Sequence, residues 1–313
     1  MQPLTVGELL KEQRARLKLE LVTGEKALGR QLTIADVNRP GLSMAGHLEH
    51  FRAERVQIIG RGEHAYCAKA PQKILAAALG KMLSHPDLPC LVITRNLTTP
   101  PSLAQACRKF NVPLLRTSLD TAAFVGELSA YLESRLAPVT RLHGVLVDVY
   151  GLGVLIQGDS GIGKSECALE LLKRGHILVS DDVVEIQKKR GGILMGSCPE
   201  PLKHYMEVRG LGIIDVKLLF GIGSILNASR IELVVYLQQW EPTTQYERVG
   251  MDLKTSKILD VEVPTVHIPV SPGRNLAVLI EVAALNQRLR SQGYVSALTF
   301  NQGLIERMKK ATK

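Results

Sequence analysis

The chain has five cysteines, Cys67, Cys90, Cys107, Cys167 and Cys198, but no C-x-x-C pair and no histidine at metal-ligand spacing from any of them. That argues against a zinc module and a disulfide framework, and leaves reduced, buried thiols as the expectation. Cys167, which closely follows a glycine-rich motif, is the one position where oxidation would touch function. No apolar run reaches the length of a membrane span, so no membrane partner is expected. The start, Met1 to Glu8, lacks a basic segment followed by an apolar core, so no signal peptide is read and a cytoplasmic location is expected. There is no internal repeat and no low-complexity segment. Net charge is +9, but it is spread as +6 over residues 1–140 and +3 over residues 141–313. No basic tract interleaved with aromatics appears, so no nucleic-acid partner is expected, whereas an acidic partner or polyanionic substrate fits.

What is present begins with length. At 313 residues, 45 % hydrophobic and 22 % charged, the chain is long enough for two globular domains. The strongest local signal is Gly158-Asp159-Ser160-Gly161-Ile162-Gly163-Lys164-Ser165, which matches G-x-x-x-x-G-K-[ST] at every defined position. An apolar run, Gly153 to Gln157, precedes it as a short buried strand, and a helix through Lys173 follows it. Glycines let backbone N–H groups converge on phosphate oxygens at the positive end of that helix. Lys164 is placed to reach the β- and γ-phosphates, and the Ser165 hydroxyl to ligate Mg²⁺. The chain is therefore read as binding ATP or a related polyphosphate. It lacks the N-K-x-D of a GTPase switch and the L-S-G-G-Q signature of a transport ATPase. A P-loop small-molecule kinase or a phosphoenolpyruvate-carboxykinase-like enzyme remains the alternative that these residues also serve.

The first half reads as an α/β unit. Thr5 caps a helix through Leu17; strands are expected at Leu19–Val22, Arg55–Ile59, Cys90–Thr94 and Val112–Arg116. Helices are expected from Lys73 to Leu83, from Ser102 to Phe110 and from Thr121 to Leu136. Alternating strands and helices imply a parallel sheet. His47, His50, His64 and His85 are scattered and read as solvated or packed, so the role of this half is structural or regulatory. The break near Leu136-Ala137-Pro138 separates an N-terminal domain, taken as 1–131, from a catalytic domain, 132–313.

In the second half, His143 to Tyr150 reads as the first arm of a hairpin that leads through Gly151 into the P-loop strand. Ile177-Leu178-Val179-Ser180 is an apolar strand ending in Asp181 and Asp182, 18 positions after Lys164. It is expected to run beside the P-loop strand. Adjacent strand residues point to opposite faces, so one carboxylate faces the phosphates and the other supports it. Met206 to Asp215, with Glu207, Arg209 and two glycines, reads as a loop in which charged groups approach an anion or metal. Arg248-Val249-Gly250 is a second Arg-Gly loop, and Asp260 to Pro264 an edge-type strand. A long helix to Arg290 follows, with Leu276, Leu279, Ile280, Ala283 and Leu289 on its apolar side, and a short helix near Leu304 closes the chain.

Taken together, these stretches resemble the HPr kinase/phosphorylase family. The carrying residues are His143-Gly144-Val145-Leu146-Val147-Asp148, the P-loop with Glu166, and Gly175-His176 leading to Asp181-Asp182-Val183-Val184. Glu207-Val208-Arg209-Gly210-Leu211-Gly212-Ile213-Ile214 and Pro272-Gly273-Arg274-Asn275-Leu276 complete the set, over about residues 141–290. The resemblance implies an N-terminal α/β domain followed by a P-loop-containing kinase domain, phosphoenolpyruvate-carboxykinase-like, with C-terminal helices. It implies a bacterial enzyme that uses ATP and Mg²⁺ to phosphorylate a serine of the phosphocarrier protein HPr. The same enzyme removes that phosphate by phosphorolysis with inorganic phosphate, giving pyrophosphate. It further implies a homohexamer, with His143, Lys164, Asp182 and Arg248 as the active-site set, residues 158–165 holding ATP, and Ser165 with Glu207 holding Mg²⁺. Residues 206–215 would serve both reactions and 269–274 chiefly the phosphorolysis. One departure stands out: Ser271 occupies a position where the family commonly has a Lys or Arg.

Overall fold

The structure, a computed structural model, describes residues 4–240 and 254–300. The chain divides into two compact units, Met1–Ala137 and Pro138–Lys313. Arg248 and the expected helix near Leu304 lie outside the described residues.

In the first unit a five-stranded sheet runs in the order Leu19–Thr23, Leu114–Thr117, Leu91–Ile93, Val56–Ile59, Val37–Asn38. Its strands alternate apolar residues between two cores. Ile59, Leu91, Ile93 and Leu114 pack against the helices Gln72–Leu83 and Pro101–Lys109. Val56, Ile58, Val92 and Leu115 pack against Val6–Gln13 and Thr121–Leu136. The sheet is not wholly parallel as expected: Leu19–Thr23 joins Leu114–Thr117 antiparallel, because it enters from the first helix rather than through a crossover. That helix keeps its expected cap, the Thr5–Glu8 capping box, but ends at Gln13 rather than Leu17. Leu19 N donates to Arg14 O and Lys18 turns left-handed (φ 48°), which stops the helix and starts the strand.

The second unit is built on a nine-stranded sheet. Val145–Val149 and Leu152–Gly158 form the expected hairpin, turning through Tyr150 and Gly151, both at positive φ as a two-residue hairpin requires. Leu152–Gly158 then pairs in parallel with the long strand Ala228–Gln239, which pairs in parallel with Val261–Val270. All three therefore end at one edge of the sheet, the carboxyl edge where open α/β sheets hold ligands. Val261–Val270 is internal rather than an edge strand, since Lys254–Ile258 covers its other side. One face of the sheet packs on the helices Lys164–Lys173 and Leu276–Ser291 through Val154, Ile156, Leu171, Val235, Ile280 and Ala284. The other face carries a smaller core around Leu146, Leu155, Val184 and Ile186.

Gly153 depends on having no side chain. A Cβ on Gly153 would lie 2.0 Å from the backbone oxygen of Arg230, where the ladder between the P-loop strand and its parallel neighbour shifts register. Gly153→Ala is expected to force these strands apart and destabilise the second unit by about 1–3 kcal/mol or more. A thermal melt checks this, and an unchanged midpoint would contradict it.

The two helices on the first face are tied by a polar knot. Glu170 accepts from Arg174 (3.0 Å) and Asn275 (2.7 Å), and Glu281 accepts from Arg174 (3.3 Å). His176 Nε2, buried, lies 2.9 Å from Glu281 Oε1, with the Tyr150 ring edge-on to it. The long helix buries Ala277, Ile280 and Ala284, while Val278, Val282, Leu285 and Leu289 form an exposed row at helical spacing. Leu289 therefore faces away from the core it was expected to join.

Candidate functional site: the P-loop and its carboxylates

The loop after Leu152–Gly158 turns through Gly158 (φ 142°), Gly161 (φ 81°) and Gly163 (φ 100°), backbone conformations that a Cβ would strain. The helix begins at Lys164, so its unpaired N–H groups face the loop, the arrangement that binds phosphate. Lys164 is buried, and its Nζ donates to the backbone oxygens of Gly158 and Asp159, each at 2.9 Å. The ammonium is thus held within its own loop by carbonyls that phosphate oxygens would replace. The guanidinium of Arg209 lies over the same loop, so that a Cβ on Gly161 would meet its nitrogens at 2.8 and 2.9 Å.

The two aspartates do not sit on a strand. Ile177–Ser180 ends before them, and they form the turn into Val183–Lys189, with Asp182 left-handed (φ 66°). Nor does Ile177–Ser180 run beside the P-loop strand; Val145–Val149 lies between them. The aspartates still diverge, because the left-handed residue reverses the chain. Asp181 turns inward and is buried. Its Oδ1 accepts from the Ser165 hydroxyl (3.0 Å) and its Oδ2 from Glu207 N (3.2 Å). Burial pushes its carboxyl pKa up, and the hydrogen bonds from Ser165 and Glu207 pull it back. Asp182 turns outward, and its Oδ1 lies 3.0 Å from His143 Nδ1, both side chains being exposed. The register that pairs Val183 with His143 brings these two residues together. Gly144, next to His143, packs against Ile156 O and Gln157, directly before the P-loop.

Glu207 is carried by a strand rather than a loop. Tyr205–Val208 and Gly212–Asp215 form an antiparallel hairpin, with Met206 and Val208 buried and Glu207 exposed. The alternation was present in the sequence, and the glycines at 210 and 212 mark only the turn. The Ser165 hydroxyl and the backbone N–H of Glu207 thus converge on the Asp181 carboxylate. A hydroxyl and carboxylates beside a phosphate site are a donor set suited to Mg²⁺, which takes oxygen ligands and keeps several waters. Asp181 is the member that sequence reasoning cast only in a supporting part. The five cysteines are all buried and free, and burial raises the Cys167 thiol to about 12, so it is no reactive group.

A parallel strand running into a P-loop, with a buried carboxylate on the loop's serine, defines a P-loop protein built to hold nucleotide phosphates. The chain belongs to the HPr serine kinase family: it matches the family's HPr Serine kinase N terminus over residues 4–132 and its HPr Serine kinase C-terminal domain over residues 134–304. It is 47 % identical to an HPr kinase/phosphorylase of Brevibacillus brevis, over 91 % of both chains. It is 46 % identical to one from Caldanaerobacter subterraneus, over 98 % of this chain and 99 % of that one. A solved Hpr(Ser) kinase/phosphatase from Coxiella burnetii is 38 % identical, with a TM-score of 0.46, over 51 % of this chain and 98 % of that chain. Among the described residues no helix is long and apolar enough to cross a membrane.

Proposed function

We propose that this chain transfers the γ-phosphoryl group of ATP to a serine of HPr, and reverses the modification by phosphorolysis, with inorganic phosphate as acceptor and pyrophosphate as product. The observation that carries this reading is the His143–Asp182 pair, next to Gly144, which packs on Ile156 and Gln157 of the strand entering the P-loop. Phosphoryl transfer passes through a loose transition state, so positioning and charge neutralisation matter more than a strong base. Asp182 accepts the serine proton as the oxygen attacks and, in reverse, returns it to the leaving serine oxygen. His143 holds the carboxylate in place. Lys164 exchanges the Gly158 and Asp159 carbonyls for phosphate oxygens. Arg209 stands over the same loop to neutralise charge, and Arg248 is assigned to the transferring group on the family resemblance. Ser165 and Glu207, with Asp181 beside them, would hold Mg²⁺, whose charge would offset that of the phosphates.

The exposed apolar side chains of Leu211, Ile213, Leu218 and Ile222 directly follow the Glu207 strand, and support docking of a protein substrate rather than a small molecule. The exposed row on the long helix supports assembly into a homohexamer, and the reading places the enzyme in the cytoplasm. Incubating purified protein with ATP, Mg²⁺ and HPr should yield seryl-phosphorylated HPr, and adding inorganic phosphate should release pyrophosphate. No phosphate on HPr, with turnover of a small acceptor instead, would overturn the proposal.

Ser271 follows Val261–Val270 at the same sheet edge as the P-loop, beside Arg274. If a second cation there captures inorganic phosphate, Ser271→Arg should raise phosphorolysis more than kinase activity. Equal change in the two rates would count against it.

A further inference from the structure

The N-terminal unit contains a cavity of about 270 Å³ where Leu114–Thr117 ends, Leu19–Thr23 begins, and the connection out of the first helix passes over them. Arg14, Lys18 and Arg116 line it, with Glu20, Asn96 and Ser118. Three cations meet one carboxylate. Glu20 is paired with Arg116 (2.9 Å), while among the described residues Arg14, Lys18, Asn96 and Ser118 show no side-chain hydrogen bond or ion pair. Arg116 gives one terminal nitrogen to Glu20, and its side chain, about one-third exposed (34 %), lines the cavity. The planar fork of a guanidinium is suited to bidentate binding of an oxyanion.

The backbone around the cavity is fixed and partly strained. Thr117 Oγ1 donates to Leu17 O (2.6 Å) and Asn96 N donates to Thr117 O (2.8 Å), which ties the three segments together. Lys18, Arg95 and Asn96 are all left-handed, at φ 48°, 62° and 51°. Such conformations are costly in non-glycine residues and persist where surrounding contacts hold them. The cavity also lies at the carboxyl edge of the parallel strands Leu91–Ile93 and Leu114–Thr117, where open α/β sheets receive ligands.

We propose that this cavity binds a small phosphomonoester. Arg14, Lys18 and Arg116 take the phosphate, and their excess charge over Glu20 matches a dianion. Asn96 and Ser118 take the hydroxyls of a short polar body. The lining has no aromatic ring on which a base would stack, and the volume suits a body of a few carbons, so a nucleotide is not the ligand.

The test is equilibrium dialysis of labelled glycerol 3-phosphate and of inorganic phosphate against the full chain carrying Lys164→Met, which removes the P-loop's own cation. Saturable binding of the ester, tighter than inorganic phosphate at matched ionic strength, is expected. Adding Arg14→Glu and Lys18→Glu, both at exposed positions, should weaken it at least about tenfold, since each lost charged contact accounts for that much. Ser118→Ala should weaken the ester and leave inorganic phosphate unchanged. A circular dichroism melt matching the parent shows that any loss is not unfolding. If that melt is lowered, Arg116→Lys replaces the double variant and should weaken the ester by removing the fork while keeping the charge. Binding that the charge reversals leave intact overturns the site, and an ester no tighter than inorganic phosphate overturns the organic ligand.

Discussion

Asp182→Asn is expected to lose both kinase and phosphorylase turnover by about 10²–10⁴-fold, the range for a general acid–base residue, while still binding ATP with Mg²⁺. The amide is nearly isosteric but neither accepts the serine proton nor returns it. Binding survives because the Asp182 side chain pairs with His143, whereas Lys164 and Ser165 are held by Gly158, Asp159 and Asp181. In the proposed mechanism proton transfer in both directions runs through this one carboxylate, so the two activities should fall together. Rates near those of the parent, or loss of nucleotide binding, would remove Asp182 from this role. His143→Ala should have a smaller effect of the same kind, because it frees the carboxylate without removing it.

Asp181→Asn is expected to behave differently, raising the Mg²⁺ concentration required by about 10–100-fold, the usual cost of altering a residue that orients metal ligands. Asp181 accepts from the Ser165 hydroxyl and from Glu207 N, so it orients the hydroxyl and anchors the strand that carries Glu207, the two residues assigned to the metal. An amide presents one acceptor where the carboxylate has two, and its NH₂ would face a donor. Kinase rates titrated against Mg²⁺ check this: a large shift in the requirement with near-normal rate at saturation is the expected pattern. A fall in rate that Mg²⁺ does not restore would place Asp181 with the proton-transfer group instead.

The contrast between neighbouring aspartates also shows where sequence reasoning reaches its limit. The P-loop was legible because its glycines and lysine are required by local backbone geometry, which is encoded within a few residues. The hairpin into it was legible from alternation of apolar residues. The meeting of His143 with Asp182 was not, because an antiparallel register between distant segments brings them together. The expectation that two adjacent aspartates diverge held, but for another reason: they lie in a turn whose second residue is left-handed. Of the two, Asp181 meets the loop through the Ser165 hydroxyl, while Asp182 pairs with His143. Glycines at 210 and 212 masked the strand carrying Glu207, although buried Met206 and Val208 show its period. In the first unit, helix Arg61–Lys69 escaped notice because only Glu63 and Cys67 of its residues are buried, too sparse a stripe to read.

The knot formed by Glu170, Arg174, Asn275, His176 and Glu281 makes a single lever of two helices that the chain supplies separately. One end of that lever is the phosphate cradle and the other is the apolar row from Val278 to Leu289. Under the proposed assembly, a neighbouring subunit that grips the row and shifts the long helix would be felt at the cradle. By thermodynamic reciprocity, a filled cradle would alter the strength of that grip by the same factor, so the subunit would sense the nucleotide without touching it.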